Sequence, residues 1–290
     1  METYEEKSYQ SHKDHYQKVY DDPASINLKI HNWKETDPKQ YFIHERSWKL
    51  TDSLTSQASS WLTVGDGYGA DASYLIKKGC VATATDISGT MLEAAHREGL
   101  IDNFSVENVE QLSYSTKSFD YVYCKESYHH FPRPFMGLYE MIRVSRKAVV
   151  IQEPVDVLLA MPWLLFIKNI LDRINPLFLR KFWKNQYSFE VAGNFVYKVS
   201  EREFEKAAIA IGLPAVAFKG YNHSKGKPNQ SLESTKKNLS VRDFLSRIGI
   251  LPYEQLSSII FREKPDTKTQ AGLKAEGYRY IEFPPNPYSK

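Results

Sequence analysis

The sequence predicts an α/β protein: a doubly wound, mostly parallel seven-stranded sheet with helices on both faces, plus a helical insert and an N-terminal helical cap. Three observations carry this. Between residues 60 and 154, short apolar runs alternate with segments of helical spacing, the pattern of strands joined by crossover helices. Within Trp61 to Ser88 (WLTVGDGYGADASYLIKKGCVATATDIS) a strand, a glycine turn, a helix and a second strand follow one another. The polar residues Asp86, Asn108, Lys125, Glu126, His129, His130 and Glu153 all fall at carboxyl ends of predicted strands, where open parallel sheets bind their ligands.

Composition sets the outer bounds. With 42% hydrophobic and 25% charged residues, the chain is an ordinary globular protein, long enough for one elaborated domain. The 38 basic and 35 acidic side chains are too evenly balanced to argue for nucleic acid. Cys80 and Cys124 both lie in predicted buried strands and read as free core thiols, so neither a disulfide nor a metal site is expected. The N-terminus is polar and lacks an apolar signal region, which makes the cytoplasm the expected location.

Residues 1–50 form the predicted cap, expected either to lie across the ligand cleft or merely to pack on the sheet edge. Tyr9, Tyr16 and Tyr20 have helical spacing, Asp22-Pro23 marks a break, and Pro38 to Ser53 leads as a helix into the first strand. Residues 51–154 form the predicted core. Trp61 to Val64 is a short apolar run, a buried strand. Gly65, Gly67 and Gly69 make a turn able to adopt positive φ and approach a ligand closely. Asp71 to Lys78 is a helix closed by Gly79, and Val81 to Ala84 is the second strand, with Asp86 just past it. Backbone N–H groups of the turn and the helix N-terminus would face the polar part of a nucleotide, while the Asp86 carboxylate accepts from ribose hydroxyls. This motif also fits the dinucleotide pattern G-x-G-x-x-A through Ala70, so NAD and S-adenosylmethionine both stay open here. Further on, Ser88 to Gly99 reads as a helix capped by Ser88, and Phe104 to Val106 as a strand. Tyr121 to Cys124, the helix Pro134 to Val144 and the strand Ala148 to Gln152 complete the alternation.

With these motifs in order, residues 60–154 resemble class I S-adenosylmethionine-dependent methyltransferases. Val64-Gly65-Asp66-Gly67-Tyr68-Gly69 is similar to that family's glycine-rich first motif, and Thr85-Asp86-Ile87-Ser88 followed by Met91 to its ribose-binding acid and helix. Asn108-Val109-Glu110 stands where the family holds the adenine amino group, with Asn108 in place of the commoner aspartate. Ser118-Phe119-Asp120-Tyr121-Val122 and His129-His130-Phe131 correspond to its fourth strand and the loop beyond. The resemblance implies S-adenosylmethionine as cofactor, held by Gly65, Asp66, Gly67, Tyr68, Gly69, Asp86, Ile87, Met91, Asn108, Val109, Glu110 and Lys125. Asp66 has a second reading as a cap of the turn, Tyr68 as a solvent-facing ring, and Lys125 as a solvated charge. His129, His130 and Glu126 are the candidates for acceptor chemistry, since an imidazole has the basicity to take a proton from a hydroxyl. The competing reading makes both histidines structural.

Residues 155–199 form the predicted insert. Val155 to Phe182 is strongly apolar, broken by Pro162 and Pro176, and its longest uninterrupted run is too short to span a bilayer. Three readings compete: a lid over the acceptor cleft, a homodimer interface, or a membrane-surface helix flanked by Lys168, Arg173, Arg180, Lys181 and Lys184. The aromatic residues Trp163, Phe166, Phe182, Trp183, Tyr187, Phe189, Phe195 and Tyr197 suit stacking on a sugar or ordinary core packing. Residues 200–265 carry a capping box, Ser200-Glu201-Arg202-Glu203, and two strands, Ala215 to Lys219 and Ser257 to Arg262. In the family such strands form an antiparallel hairpin closing the sheet. Between them lies a long polar loop, expected to turn helical only from Ser240, and residues 266–290 read as an extended arm. The expected partner is a small hydroxylated acceptor such as a sugar, methylated on oxygen. A lipid or prenylated quinone is the second choice, and an NAD-binding oxidoreductase or a non-catalytic binding protein the third.

Overall fold

The computed structural model describes residues 3–19, 34, 37–55, 58–182, 188–190, 194–223 and 230–288. The Asp22-Pro23 break, Trp183, Lys184, Tyr187 and the loop residues 224–229 lie outside the described residues.

Strands β1 (Ser60–Val64), β2 (Val81–Asp86), β3 (Asn103–Val106), β4 (Phe119–Lys125) and β5 (Ser145–Pro154) pair in parallel in the order β3-β2-β1-β4-β5. β6 (Ala215–Tyr221), β7 (Gln255–Phe261) and β8 (Arg279–Glu282) continue the sheet as β7-β6-β8, and every pairing from β5 onward is antiparallel. The wedged antiparallel β7 separates this sheet from the dinucleotide-binding order, in which the sixth strand follows the fifth directly.

Alternation along the strands divides the core between the two faces. Trp61, Tyr123, Val150 and Ile259 pack with Leu75 and Leu92 of the helices Ala70–Lys77 and Thr90–Arg97. Their neighbours Leu62, Val122, Val149 and Ile260 point the other way, against Leu138 and Met141 of Pro134–Val144 and Phe204 of Glu201–Ala210. The register sets Trp61 opposite Tyr121, and the two rings stack with centroids 4.5 Å apart. Cys80 and Cys124 are both buried, and neither is in a disulfide.

Several expectations are corrected. The sheet has eight strands rather than seven, because the tail expected as an extended arm folds into the helix Thr267–Glu276 and the edge strand β8. Asp266 caps that helix, and Gly277 ends it at φ +88°. The helix before β7 starts at Leu232 under the cap of Ser231, not at Ser240. Ser88 caps nothing: its helix begins at Thr90, with Gly89 at the capping position and no side-chain cap bond. The capping box of Ser200 and Glu203 is present. Among its described residues the insert forms three helices, Val157–Ala160, Pro162–Ile174 and Pro176–Phe182, parted at Pro162 and Pro176. Among the described residues no helix is long and apolar enough to cross a membrane.

Candidate active site

The order of the sheet reverses between β1 and β4, and a crevice opens at the carboxyl ends of those strands, as it does at switch points of doubly wound sheets. Its cavity measures about 390 Å³, within the range of small-ligand sites. The walls come from the turn after β1, the ends of β2 and β4, and the helix Tyr4–Val19, which contributes Ser8, Tyr9 and His12.

The three glycines of the turn all have positive φ, yet for different reasons. A Cβ on Gly65 would come within 2.4 Å of Ser127, whose hydroxyl donates to the Val64 carbonyl at 3.0 Å. A Cβ on Gly69 would meet Ile101 at 2.9 Å. Gly67 alone meets nothing within 4 Å and lies in the cavity wall, so here the missing side chain leaves room for a ligand. The Gly67 N–H donates to Asp86 Oδ2 at 3.0 Å, and the Ser88 N–H donates to Oδ1 at 2.9 Å. Burial raises the Asp86 carboxyl above its ordinary range, and these N–H groups oppose that rise.

Asp66 is spent within the protein. It accepts from Thr63 at 2.7 Å and from the N–H groups of Asp71 and Ala72 at 2.9 Å, so it caps the helix that follows. Burial and the adjacent Asp71 push its carboxyl well above the usual range. Lys125 is buried rather than solvated. It lines the cavity, but its ammonium pairs with Asp71 at 3.2 Å and lies 3.2 Å from His44 Nδ1. Tyr68, Ile87, Met91 and Val109 line the wall beside Asp86. Asn108 and Glu110 are not among the lining residues: Asn108 Oδ1 accepts from the Glu110 N–H, and Glu110 is held by Arg133 at 2.6 Å.

Across the cavity, the turn Tyr128–His130 separates the two histidines. His129 Nδ1 lies 2.5 Å from Glu153 Oε2, while Glu153 Oε1 accepts from the N–H groups of Ser127 and Tyr128. Burial lowers the His129 pKa, but Glu153 outweighs it and the net direction is upward. His130 does line the cavity, and its Nδ1 sits 2.9 Å from Glu190 and 3.1 Å from Asn194. The His12 ring stands 5.0 Å from it, and burial, with His130 alongside, lowers His12 to about 4. Glu126 also reaches the cavity, on a left-handed backbone (φ +53°), its carboxylate 3.2 Å from His223 Nε2. A non-glycine residue held there costs on the order of 1–3 kcal/mol and tends to mark a functional loop.

Sequence reasoning missed Ser8, Tyr9 and His12 as wall residues, and Glu153, Glu190, Asn194 and His223 as partners. Glu153 was visible as a strand-end acid; the others carry no local signal. Among the described residues, two groups bring metal-type donors within 4.8 Å of one another, His44 with Glu126 and His223, and His129 with His130 and Glu190. In the first, the Lys125 ammonium at His44 opposes a second cation.

The crevice fits an adenosyl ligand: an open cradle at Gly67, a half-buried carboxylate two strands' width from the histidine loop, and the apolar wall of Met91 and Val109. Together, fold and crevice have the form of a class I methyltransferase domain, and S-adenosylmethionine fits the crevice as its cofactor. Residues 62–151 match the family model described as "Methyltransferase domain". No curated protein matches the chain in sequence. Among solved structures, a chain of the Haloferax volcanii complex of the Trm112 methyltransferase activator with a methyltransferase is 12% identical, covering 90% of this chain and 100% of that one at TM-score 0.50. Magnesium protoporphyrin IX methyltransferase from Synechocystis PCC 6803 is also 12% identical, covering 88% and 97% at TM-score 0.50. At such identity the likeness is one of fold.

Proposed function

We propose that the chain methylates a hydroxyl group of a small molecule, a sugar or related metabolite, with His130 as the base. The observation that carries this reading is that His130 lines the same cavity as Asp86 and Gly67, with its Nδ1 already held by Glu190 and Asn194. That anchoring leaves Nε2 as the ring atom able to take a proton. When bound, S-adenosylmethionine supplies an electrophilic methyl group on a sulfonium. Asp86, the Gly67 cradle, Ile87, Met91 and Val109 hold the adenosyl part, and Tyr68 closes over it. The chain's further work is to orient the acceptor, exclude water, and accept the hydroxyl proton at His130 Nε2.

His129 has a different part. Pinned by Glu153 beneath the loop, it sets the position of its neighbour and holds its own proton. Glu126 orients the acceptor from the other side of the cavity. The test is transfer of labelled methyl from S-adenosylmethionine to panels of hydroxylated sugars, nucleotide sugars and amines. Label in the hydroxylated compounds, with a pH limb lost in His130→Ala, supports the reading. Label in amines alone, or undiminished turnover by His130→Ala, overturns it.

A further inference from the structure

The helix Pro162–Ile174 has two unlike long edges. Leu164 is buried with Leu158 and Met161 in a small core of their own, which ties the helix down. On another edge Trp163, Phe166, Ile170 and Ile174 recur at spacings of three and four, one stripe of an α-helix. They are 48%, 66%, 38% and 77% exposed. Leu177 and Phe178 extend the apolar run past Asn175, at 76% and 50% exposure. Single exposed apolar residues need no explanation, but a continuous stripe of large ones marks an interaction surface.

Charge selects the occupant. Residues 155–182 hold four basic and two acidic side chains, Lys168, Arg173, Arg180 and Lys181 against Asp156 and Asp172. Asp172 is engaged by Lys168 at 2.6 Å, while Arg173 and Arg180 are exposed. A second copy of the chain suits this face poorly, because a two-fold interface sets each patch against itself and brings its arginines together. An anionic bilayer complements both parts, burying the stripe at the headgroup boundary and attracting the flanking cations. At 13 residues the helix is about 20 Å long, suited to lying along a membrane surface rather than crossing it.

We infer that Pro162–Ile174 and the start of the next helix dock the protein on an anionic lipid surface. The insert leaves β5 at its carboxyl end, the end of the sheet that bears the crevice, so docking holds the acceptor side at the membrane. This inference is independent of which atom is methylated.

Vesicle flotation of the full chain tests it without any turnover. Flotation is expected with phosphatidylcholine–phosphatidylglycerol vesicles and not with phosphatidylcholine alone, and it should weaken in high salt as the screening length shrinks. The double variant Phe166→Ser/Ile174→Ser should reduce bound protein by roughly tenfold or more while binding S-adenosylmethionine like the parent. Should that variant misfold, Arg173→Glu/Arg180→Glu, fully on the surface, must abolish the preference for anionic vesicles. Failure of the parent to float, flotation of either folded variant like the parent, or a light-scattering mass showing that the stripe instead joins two copies overturns the inference.

Discussion

Gly65 and Gly67 stand two residues apart and answer to different neighbours. Gly65→Ala drives a Cβ into Ser127 on a backbone at φ +66°, so it should lower unfolding free energy by about 2–4 kcal/mol in urea titration. Gly67→Ala meets no protein atom. It should cost only about 1 kcal/mol of stability yet weaken S-adenosylmethionine binding roughly tenfold in calorimetry, because the methyl enters the cavity. Asp86→Ala removes the acceptor for Gly67 and Ser88 as well as a ligand contact; affinity should fall by about 1.5–3 kcal/mol, and an unchanged dissociation constant would remove Asp86 from the ligand site. These residues were legible in sequence because the glycine spacing and strand-end acid answer to backbone geometry. Asn108 and Glu110, engaged within the protein by the Glu110 N–H and by Arg133, show the converse. Short polar side chains cap turns and pair with arginines as readily as they bind ligands, and nothing local distinguishes the uses.

Among the elements, Tyr4–Val19 changes most between sequence and structure. Its helical spacing was readable, but its helix is polar on most sides, and no periodicity tells where such a helix lands. It lands on the crevice, with His12 facing His130. His12 is lowered from the ordinary 6.5 to about 4. Between those values the unfolded chain binds more protons than the folded one, so the contribution to stability is complete above about 6.5 and lost as pH falls towards 4. Protection factors of the amides in residues 4–15, taken relative to the intrinsic exchange rate at each pH, should therefore fall at pH 5 relative to pH 7, and His12→Gln should flatten that dependence. The helix Leu232–Arg247 was placed eight residues late for a related reason. Its first turns, LESTKKN, are polar and mostly exposed, and read as a loop.

At the scale of the whole molecule, the parallel half of the sheet was legible and its far edge was not. β1 to β5 are buried, apolar and separated by helical segments, whereas β8 is four residues long and lies on an exposed edge. What holds that edge is distant in sequence: Leu273 is fully buried, and the Tyr278 hydroxyl donates to the Leu50 carbonyl at 2.9 Å. Ser53 donates to Glu276 through both its N–H and its hydroxyl. Truncation after Lys264 should thus cost several kcal/mol in urea unfolding, since losing one buried leucine side chain alone costs about 2–5 kcal/mol. The wall that Ser8, Tyr9 and His12 lend to the cavity carries a kinetic meaning. If spent adenosyl product leaves on the side that this helix lines, each cycle waits for the helix to swing aside. Rapid mixing should then show one fast turnover followed by a slower steady pace, and deleting the first 19 residues should erase the burst.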